Sequence, residues 1–510
     1  MAGNDASSST VTDTTSNANI ATWLTSQAAI RPDAPAVKQG ELTISYARLD
    51  DASARAAALL EAHGVKAGDR VSLIMPNVAY FPIAYYGILR LGAVVVPTNP
   101  LLKAGEISYV WQDSEVSVAV VLDMFAPEAE KAAKDTGTEV ITFVPGRIEQ
   151  QLADHIPRTE ITRRDPDDTV VILYTSGTTG RPKGAELTQH NISSNVITSV
   201  DTLFHGGPDD VIFGGLPLFH SFGQTCAMNT SVYGGSCLAL LPRFDPVEAL
   251  KIIEKEKVTT FLGVPTMYMA LLAVPDKESY DTSSLRLAVS GGSSLPVEVL
   301  RGVEQTFDLK LLEGYGLSET SPVATFNHPD RPSKPGSVGI PIHGVEIAVV
   351  GPDDLELPAG EVGEVVIRGE NIMKGYLNKP EATAEAMRNG WFHSGDLGRL
   401  DDDGFLFIVD RVKDMIVRNA YNVYPREVEE LLFTHPAVAE AAVVGVPHPE
   451  HGEEIAALIT LKPDAEVTED EIREWTKERI AAYKYPRIVK FGAIPKGPTG
   501  KVLKREIKIN

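Results

Sequence analysis

Two lysines far apart in the chain sit in surroundings suited to phosphate chemistry. Lys183 lies near the end of Tyr174-Thr-Ser-Gly-Thr-Thr-Gly-Arg-Pro-Lys-Gly184, where Gly177, Gly180 and Gly184 alternate with Thr175, Ser176, Thr178 and Thr179. Glycines let a backbone approach an anion, hydroxyls and amides supply donors, and a lysine adds a point charge. The spacing is not the G-x-x-x-x-G-K-[ST] loop, since the residue five after Gly177 is Pro182. Lys501 stands in Gly497-Pro-Thr-Gly-Lys-Val-Leu-Lys-Arg505. Glycine and proline hold a loop there that presents one lysine before an expected final strand, with Lys504 and Lys508 read as solvated.

The elements that must carry these residues follow from the rest of the sequence. At 510 residues the chain exceeds one domain. Its 43% hydrophobic and 23% charged content is ordinary for globular proteins. A net charge of −22 argues against nucleic acid and against a surface built for anionic lipid. An anionic ligand must then be held locally, by a few placed cations and N–H groups. Cys226 and Cys237 form no C-x-x-C pair, which fits a reducing cytoplasm better than a disulfide framework. No apolar run reaches membrane-span length, so any membrane association is peripheral at most.

Residues 1–19 read as a solvated tail, neither signal nor transit peptide. From Ile20, helical patterns such as Leu49 to Leu60 alternate with short apolar runs such as Arg70 to Met75, Ala93 to Pro97 and Val170 to Tyr174. That rhythm predicts βαβ units with parallel sheet. After Pro335 the runs shorten between turn signals, as in a β-rich subdomain, and from Asp410 a smaller α+β unit is expected. The fold class is α/β. A large multi-subdomain N-terminal domain over 20–409 carries parallel βαβ sheets and a β-rich subdomain, and a small mobile α+β C-terminal domain covers 410–510.

The glycine- and threonine-rich segment resembles the phosphate loop of the adenylate-forming superfamily: acyl- and aryl-CoA ligases, peptide-synthetase adenylation domains and luciferases. The resemblance runs from about residue 20 to the end, with motifs in the family's order, including Leu89-Arg-Leu-Gly-Ala-Val-Val-Val-Pro97. It implies ATP binding by Thr175, Ser176, Gly177, Thr178, Thr179, Gly180 and Lys183. Glu313-Gly-Tyr-Gly-Leu-Ser-Glu-Thr320 is similar to the nucleotide motif. There Glu313, Gly314 and Tyr315 would hold adenine, with Tyr315 stacked on it. Ser318 would reach a phosphate, and Glu319 with Thr175 would hold Mg²⁺, a fitting ion for a hard carboxylate. Ser394-Gly395-Asp396, by itself a common turn, resembles the ribose motif, with Asp396 accepting from both hydroxyls. Arg411 would contact ribose or phosphate, Lys413 would be a hinge, and Lys501 would be the catalytic lysine. By the same resemblance His220, Phe222, Gly291, Gly292 and Gly316 would line the acid pocket, while Arg243, Asn419 and Ala420 would meet CoA. A lone histidine after an apolar run is more often structural, so His220 is assigned orientation of the carboxylate and no acid–base step.

The resemblance implies two steps, adenylate formation from a carboxylate and ATP, then thioester formation with CoA as co-substrate. The partners are thus a carboxylic acid, ATP and CoA, in a monomer or homodimer. One position departs: the family's CoA ligases usually carry glycine where Ala420 falls. Its methyl would crowd the pantetheine path, so Ala420→Gly is expected to raise the CoA-dependent rate and leave adenylate formation unchanged, as measured by separate half-reaction assays. No Asp follows the aromatic segment where amino-acid-activating domains hold an α-amino group. The lysine that plant hydroxycinnamate ligases use toward the phenol end aligns with apolar Ala288. A medium- or long-chain fatty acid is therefore favoured, with an aryl (4-coumarate-like) acid second, and an acyl-AMP ligase or a luciferase-like monooxygenase behind them.

Overall fold

The computed structural model of the chain describes residues 18–175, 181–419 and 421–509. Ser176, Gly177, Thr178, Thr179, Gly180 and Ala420 lie outside the described residues, as does the expected tail through Asn17. Asn19, assigned to that tail, is fully buried, and its Nδ2 donates to Leu89 O at 2.7 Å. The packed chain therefore starts slightly earlier than expected.

Runs of aliphatic residues without polar alternation become strands buried on both faces. Among the described residues, one seven-stranded sheet has Thr169–Thr175, Val94–Pro97, Arg70–Ile74, Val116–Leu122 and Glu139–Phe143 side by side and parallel. Lys183–Thr188 turns back antiparallel on Thr169–Thr175, and the short strand Gly375–Tyr376 closes that edge. A nine-stranded sheet has a parallel centre of Pro35–Gln39, Cys237–Leu240, Val211–Gly214, Thr260–Gly263, Leu287–Ser290 and Leu311–Gly316, with antiparallel strands at each edge. Helix Tyr80–Arg90 is apolar on nearly every face because it is covered from several sides. Its Gly87 packs on Ala56 of helix Tyr46–Ala62, and Tyr86 Oη donates to Asn229 Oδ1 at 2.9 Å. One hydrophobic core runs through both sheets.

The expected β-rich subdomain is an antiparallel sheet of Val345–Val350, Gly363–Gly369, Phe392–Leu400 and Leu406–Arg411. The expected boundary at 409/410 falls inside Leu406–Arg411, so Arg411 still belongs to this sheet. The C-terminal lobe has its own core of Ile416, Val428, Val443, Ile459 and Val489, among others. It is built on the hairpin Val438–His448 with Gly452–Leu461, flanked by helices Pro425–Phe433 and Glu469–Lys477.

Two expectations at the end of the chain are corrected. Among the described residues no strand follows Lys501: Val502 makes only an isolated bridge to Lys496, and Lys504–Glu506 is a 3₁₀ turn. Lys504 is not merely solvated, for its Nζ pairs with Glu429 Oε1 at 2.8 Å, whereas Lys508 is exposed. Among the described residues no helix is long and apolar enough to cross a membrane.

Candidate active site

The carboxyl ends of both parallel sheets open on one cavity of about 1120 Å³. Pro97, Thr98, Thr175, Leu216, Val264, Ser290 and Gly314 all line it at or just after strand ends. This is where open α/β sheets bind ligands. The volume exceeds the ~300–1,000 Å³ of a usual single-ligand pocket, which leaves room for two reactants.

At one side Thr175 and Lys183 are cross-strand partners of the hairpin that flanks the glycine-rich segment. Thr175 Oγ1 donates to Glu319 Oε1 at 3.1 Å, and Tyr376 Oη donates to the same oxygen at 3.0 Å. The Lys183 ammonium lies 4.9 Å from the centre of the Tyr376 ring, within cation–π reach. Burial and the Glu319 carboxylate push the Tyr376 phenol up, so its hydroxyl stays a donor. Among the described residues nothing donates to Glu319 Oε2. A carboxylate with one engaged and one unengaged oxygen, beside a threonine hydroxyl, is a hard-oxygen donor set that fits Mg²⁺. Ser318 also lines the cavity, its Oγ 3.4 Å from Ser221 Oγ. Gly316 could not be another residue, since a Cβ there would meet Pro322 O at 1.7 Å.

Next along the wall, Tyr315 Oη donates to Asp396 Oδ2 at 2.7 Å. Asp396 and Arg411 face each other across neighbouring strands, with Arg411 Nε 3.2 Å from Asp396 Oδ1. The Ser394–Asp396 turn is held by Glu364, whose Oε1 accepts from Gly395 N at 3.1 Å and whose Oε2 meets His393 Nδ1 at 2.9 Å. Glu313 does not line the cavity. It is buried behind Gly314, accepts from Leu295 N at 2.9 Å, and burial raises its carboxyl to about 7.

The third region is apolar. Phe204, Leu216, Phe222, Cys226, Val264, Val289, Val323 and Phe326 surround it, with Gly291 and Gly292 on one side. Phe222 and Cys226 come from a π-helical stretch, Phe222–Asn229, of the kind that often marks functional sites. Phe222 N donates to His220 Nδ1 at 3.3 Å, which leaves Nε2 as the protonated nitrogen of a neutral ring. Burial and the nearby Lys501 charge lower His220 to about 4. It is therefore a neutral hydrogen-bond donor at pH 7. Ala288 is corrected as a wall residue. Side chains alternate along a strand, and Ala288 faces a separate small cleft with Ile253 and Phe261, while Val289 meets the main cavity. The wall remains apolar through a different residue.

Lys501 enters from the C-terminal lobe. Gly500 N bonds Gly497 O at 2.9 Å in a turn with Pro498, and Gly500 takes φ +78°, a conformation that suits glycine. Gly500 O accepts from Thr266 Oγ1 at 3.4 Å, so the turn touches the large domain. Lys501 then lines the cavity beside Thr499, its side chain exposed on the cavity side. Burial, with Arg411 and Lys413 against the opposing Asp396 and Asp414, lowers its ammonium to about 8. Lys413 is exposed and outside the cavity lining. Arg243 is exposed on the loop after Cys237–Leu240, and exposed Asn419 sits at φ 50° between Ile416–Arg418 and Tyr421–Val423. Neither reaches the cavity.

One wall thus joins a phosphate-type corner, a carboxylate–arginine pair and an apolar chamber, and a lysine from another lobe closes it. The AMP-binding enzyme family matches residues 24–377, and the AMP-binding enzyme C-terminal domain matches residues 427–501. The chain belongs to the AMP-binding enzyme family. It is 37% identical to a long-chain-fatty-acid–CoA ligase of Bacillus subtilis (strain 168), covering 96% of this chain and 94% of that one. It is also 37% identical to a feruloyl-CoA synthase of an Amycolatopsis species, over 96% and 99% of the two chains. ATP-bound MatB from Rhodopseudomonas palustris superposes with a TM-score of 0.90 at 33% identity, covering 96% of this chain and 98% of that one.

Tyr376 and Glu364 carry no motif in the sequence. Tyr376 lies on a two-residue edge strand, and its link to Lys183 and Glu319 exists only once three distant segments meet.

Proposed function

We propose that this protein is an ATP-dependent acyl-CoA ligase that activates a medium- or long-chain fatty acid through an acyl adenylate, releasing AMP and pyrophosphate. The supporting observation is the shared cavity, with Lys183 and Glu319 at one end, Asp396 and Arg411 in the middle, and Lys501 facing the apolar chamber. In the first step a carboxylate oxygen bonds the α-phosphorus as the bond to pyrophosphate breaks. Lys501 offers a fixed cation between carboxylate and α-phosphate, where charge grows in the transition state. The His220 Nε2–H holds the carboxylate, and Asp396 accepts from the ribose hydroxyls. Lys183, Ser318 and the segment Thr175 to Gly180 bind the phosphates. Tyr315 and Gly314 border adenine, with Glu313 buried behind them as support. Glu319 and Thr175 would hold Mg²⁺, which would supply positive charge to offset the negative charge of the phosphates. In the second step the CoA sulfur bonds the carbonyl carbon, the thiol proton is lost, and AMP leaves with the electron pair.

CoA would approach past Arg243, Asn419 and Ala420, with Lys413 as the hinge that exchanges Lys501 for this path. We assign the large domain to the chain through strand Leu406–Arg411, the lobe to the residues after it, and the protein to the cytoplasm. The apolar chamber, whose described walls are apolar side chains and glycines with Lys501 and the neutral His220 beside them, favours an aliphatic chain. The relation to a feruloyl-CoA synthase keeps an aryl acid as the second reading. Pyrophosphate release against a panel of fatty and aryl acids, with and without CoA, tests both. CoA-dependent AMP release with C8–C18 acids is expected; release with aryl acids alone would reverse the order.

A further inference from the structure

The glycine- and hydroxyl-rich phosphate segment is flanked by two stems, residues 174–175 and 181–183. Helix Ala104–Asp113 holds both. Tyr109 Oη donates to Pro182 O at 2.8 Å, on the stem that carries Lys183. One turn later Asp113 Oδ2 accepts from Tyr174 Oη at 2.9 Å, on the stem that carries Thr175. The Tyr109 and Tyr174 rings meet edge to face at 6.4 Å, and the Arg181 guanidinium lies over Tyr109 at 5.3 Å. The Asp113 carboxylate has a second arm, accepting from Lys379 Nζ at 2.8 Å. Lys379 N in turn donates to the carbonyl of Tyr376, whose ring faces Lys183 and whose hydroxyl holds Glu319.

We infer that Tyr109 and Asp113 are positioning residues for ATP. They are spaced one helical turn apart, so that a single helix face grips both stems of the phosphate segment and, through Lys379, the Tyr376 turn. The inference rests on the reading that this segment binds ATP phosphates. Asp113 keeps only 10% of its side chain exposed. Its two donors approach from different segments, which a surface ion pair formed by chance would not require. The grip costs substrate nothing at the moment of binding, because the stems are already held at the spacing the phosphates need.

Tyr109→Phe and Tyr174→Phe each remove one hydroxyl and keep the ring. Each is expected to weaken ATP binding measured by calorimetry, and to raise KM for ATP, by roughly five- to tenfold, the worth of one hydrogen bond. The carboxylate KM, the CoA KM and kcat should stay within about twofold, and Tm within roughly 2 °C, since neither packing nor the chemical step changes. The double variant should exceed either single one. ATP affinity within twofold of wild type in both variants overturns the inference, as do equal losses in every parameter together with a falling Tm. Wild-type protein that fails to bind ATP at all would instead remove the functional reading, and the grip with it.

Discussion

Lys501→Ala is expected to slow adenylate formation by about 10²–10³-fold, the usual cost of one preorganised charge at the reacting centre. Thiolysis of a preformed acyl adenylate should change less than about threefold, because that step needs no cation between carboxylate and α-phosphate. Measured separately, the two half-reactions would therefore diverge; equal losses in both would remove Lys501 from the first step. The pH dependence sharpens the test. Burial and the flanking Arg411 hold the ammonium near about 8 in the free enzyme, so the active, protonated form is complete below that pH and is lost above it. kcat/KM for the acid should then fall above pH 8, and Lys501→Arg, charged throughout, should abolish that limb even if it is slower. His220, at about 4, is neutral on both sides of this range and contributes no limb of its own there.

Much of the fold was legible because it is written locally. Arg70–Ile74 and Val94–Pro97 are continuous apolar runs, and such runs need cover on both faces, which implies parallel sheet between helices. Several site motifs were legible for a related reason: Thr175, Lys183 and the stretch 315–319 stand at or beside strand ends, and strand ends line the cavity. What could not be read is whatever depends on parity or on distant partners. Ala288 and Val289 are equally apolar neighbours, and only the pleat decides which of them faces the main cavity. Lys504 looked solvated because Glu429, which pairs with it, lies on a different helix. Tyr376 and Glu364 join the site only by meeting side chains or turns from other segments. The described residues bring Thr175, Lys183, Tyr315, Glu319, Asp396, Arg411 and Lys501 to one cavity, while Arg243 and Asn419 stay away from it. The latter pair are the ones assigned to a second substrate, which on the proposed reading binds after the lobe has turned.

The other large effect is expected at Asp396. The residue is 5% exposed and its carboxylate serves two protein donors, the Tyr315 hydroxyl and Arg411, while its cavity face is assigned to the ribose. Asp396→Ala removes an ionised acceptor from a largely dry wall and strands the Tyr315 hydroxyl. Hydrogen bonds to charged groups contribute about 1.5–3 kcal/mol each, so losing contacts to two ribose hydroxyls should weaken ATP binding by roughly 10²-fold or more. Stability should fall by about 1–3 kcal/mol for the unsatisfied donor, less than the partly exposed Arg411 would cost if it were buried. Asp396→Asn keeps an acceptor for Tyr315 and should restore most of the stability but little of the affinity. The cause can be isolated with 2′,3′-dideoxy-ATP, compared by calorimetry with ATP. Wild type should bind the dideoxy nucleotide about as weakly as Asp396→Ala binds ATP, and the variant should no longer tell the two nucleotides apart. If Asp396→Ala still favours ATP by the wild-type margin, the ribose is read by another group, and the Tyr315–Asp396–Arg411 contact is a brace for the wall alone.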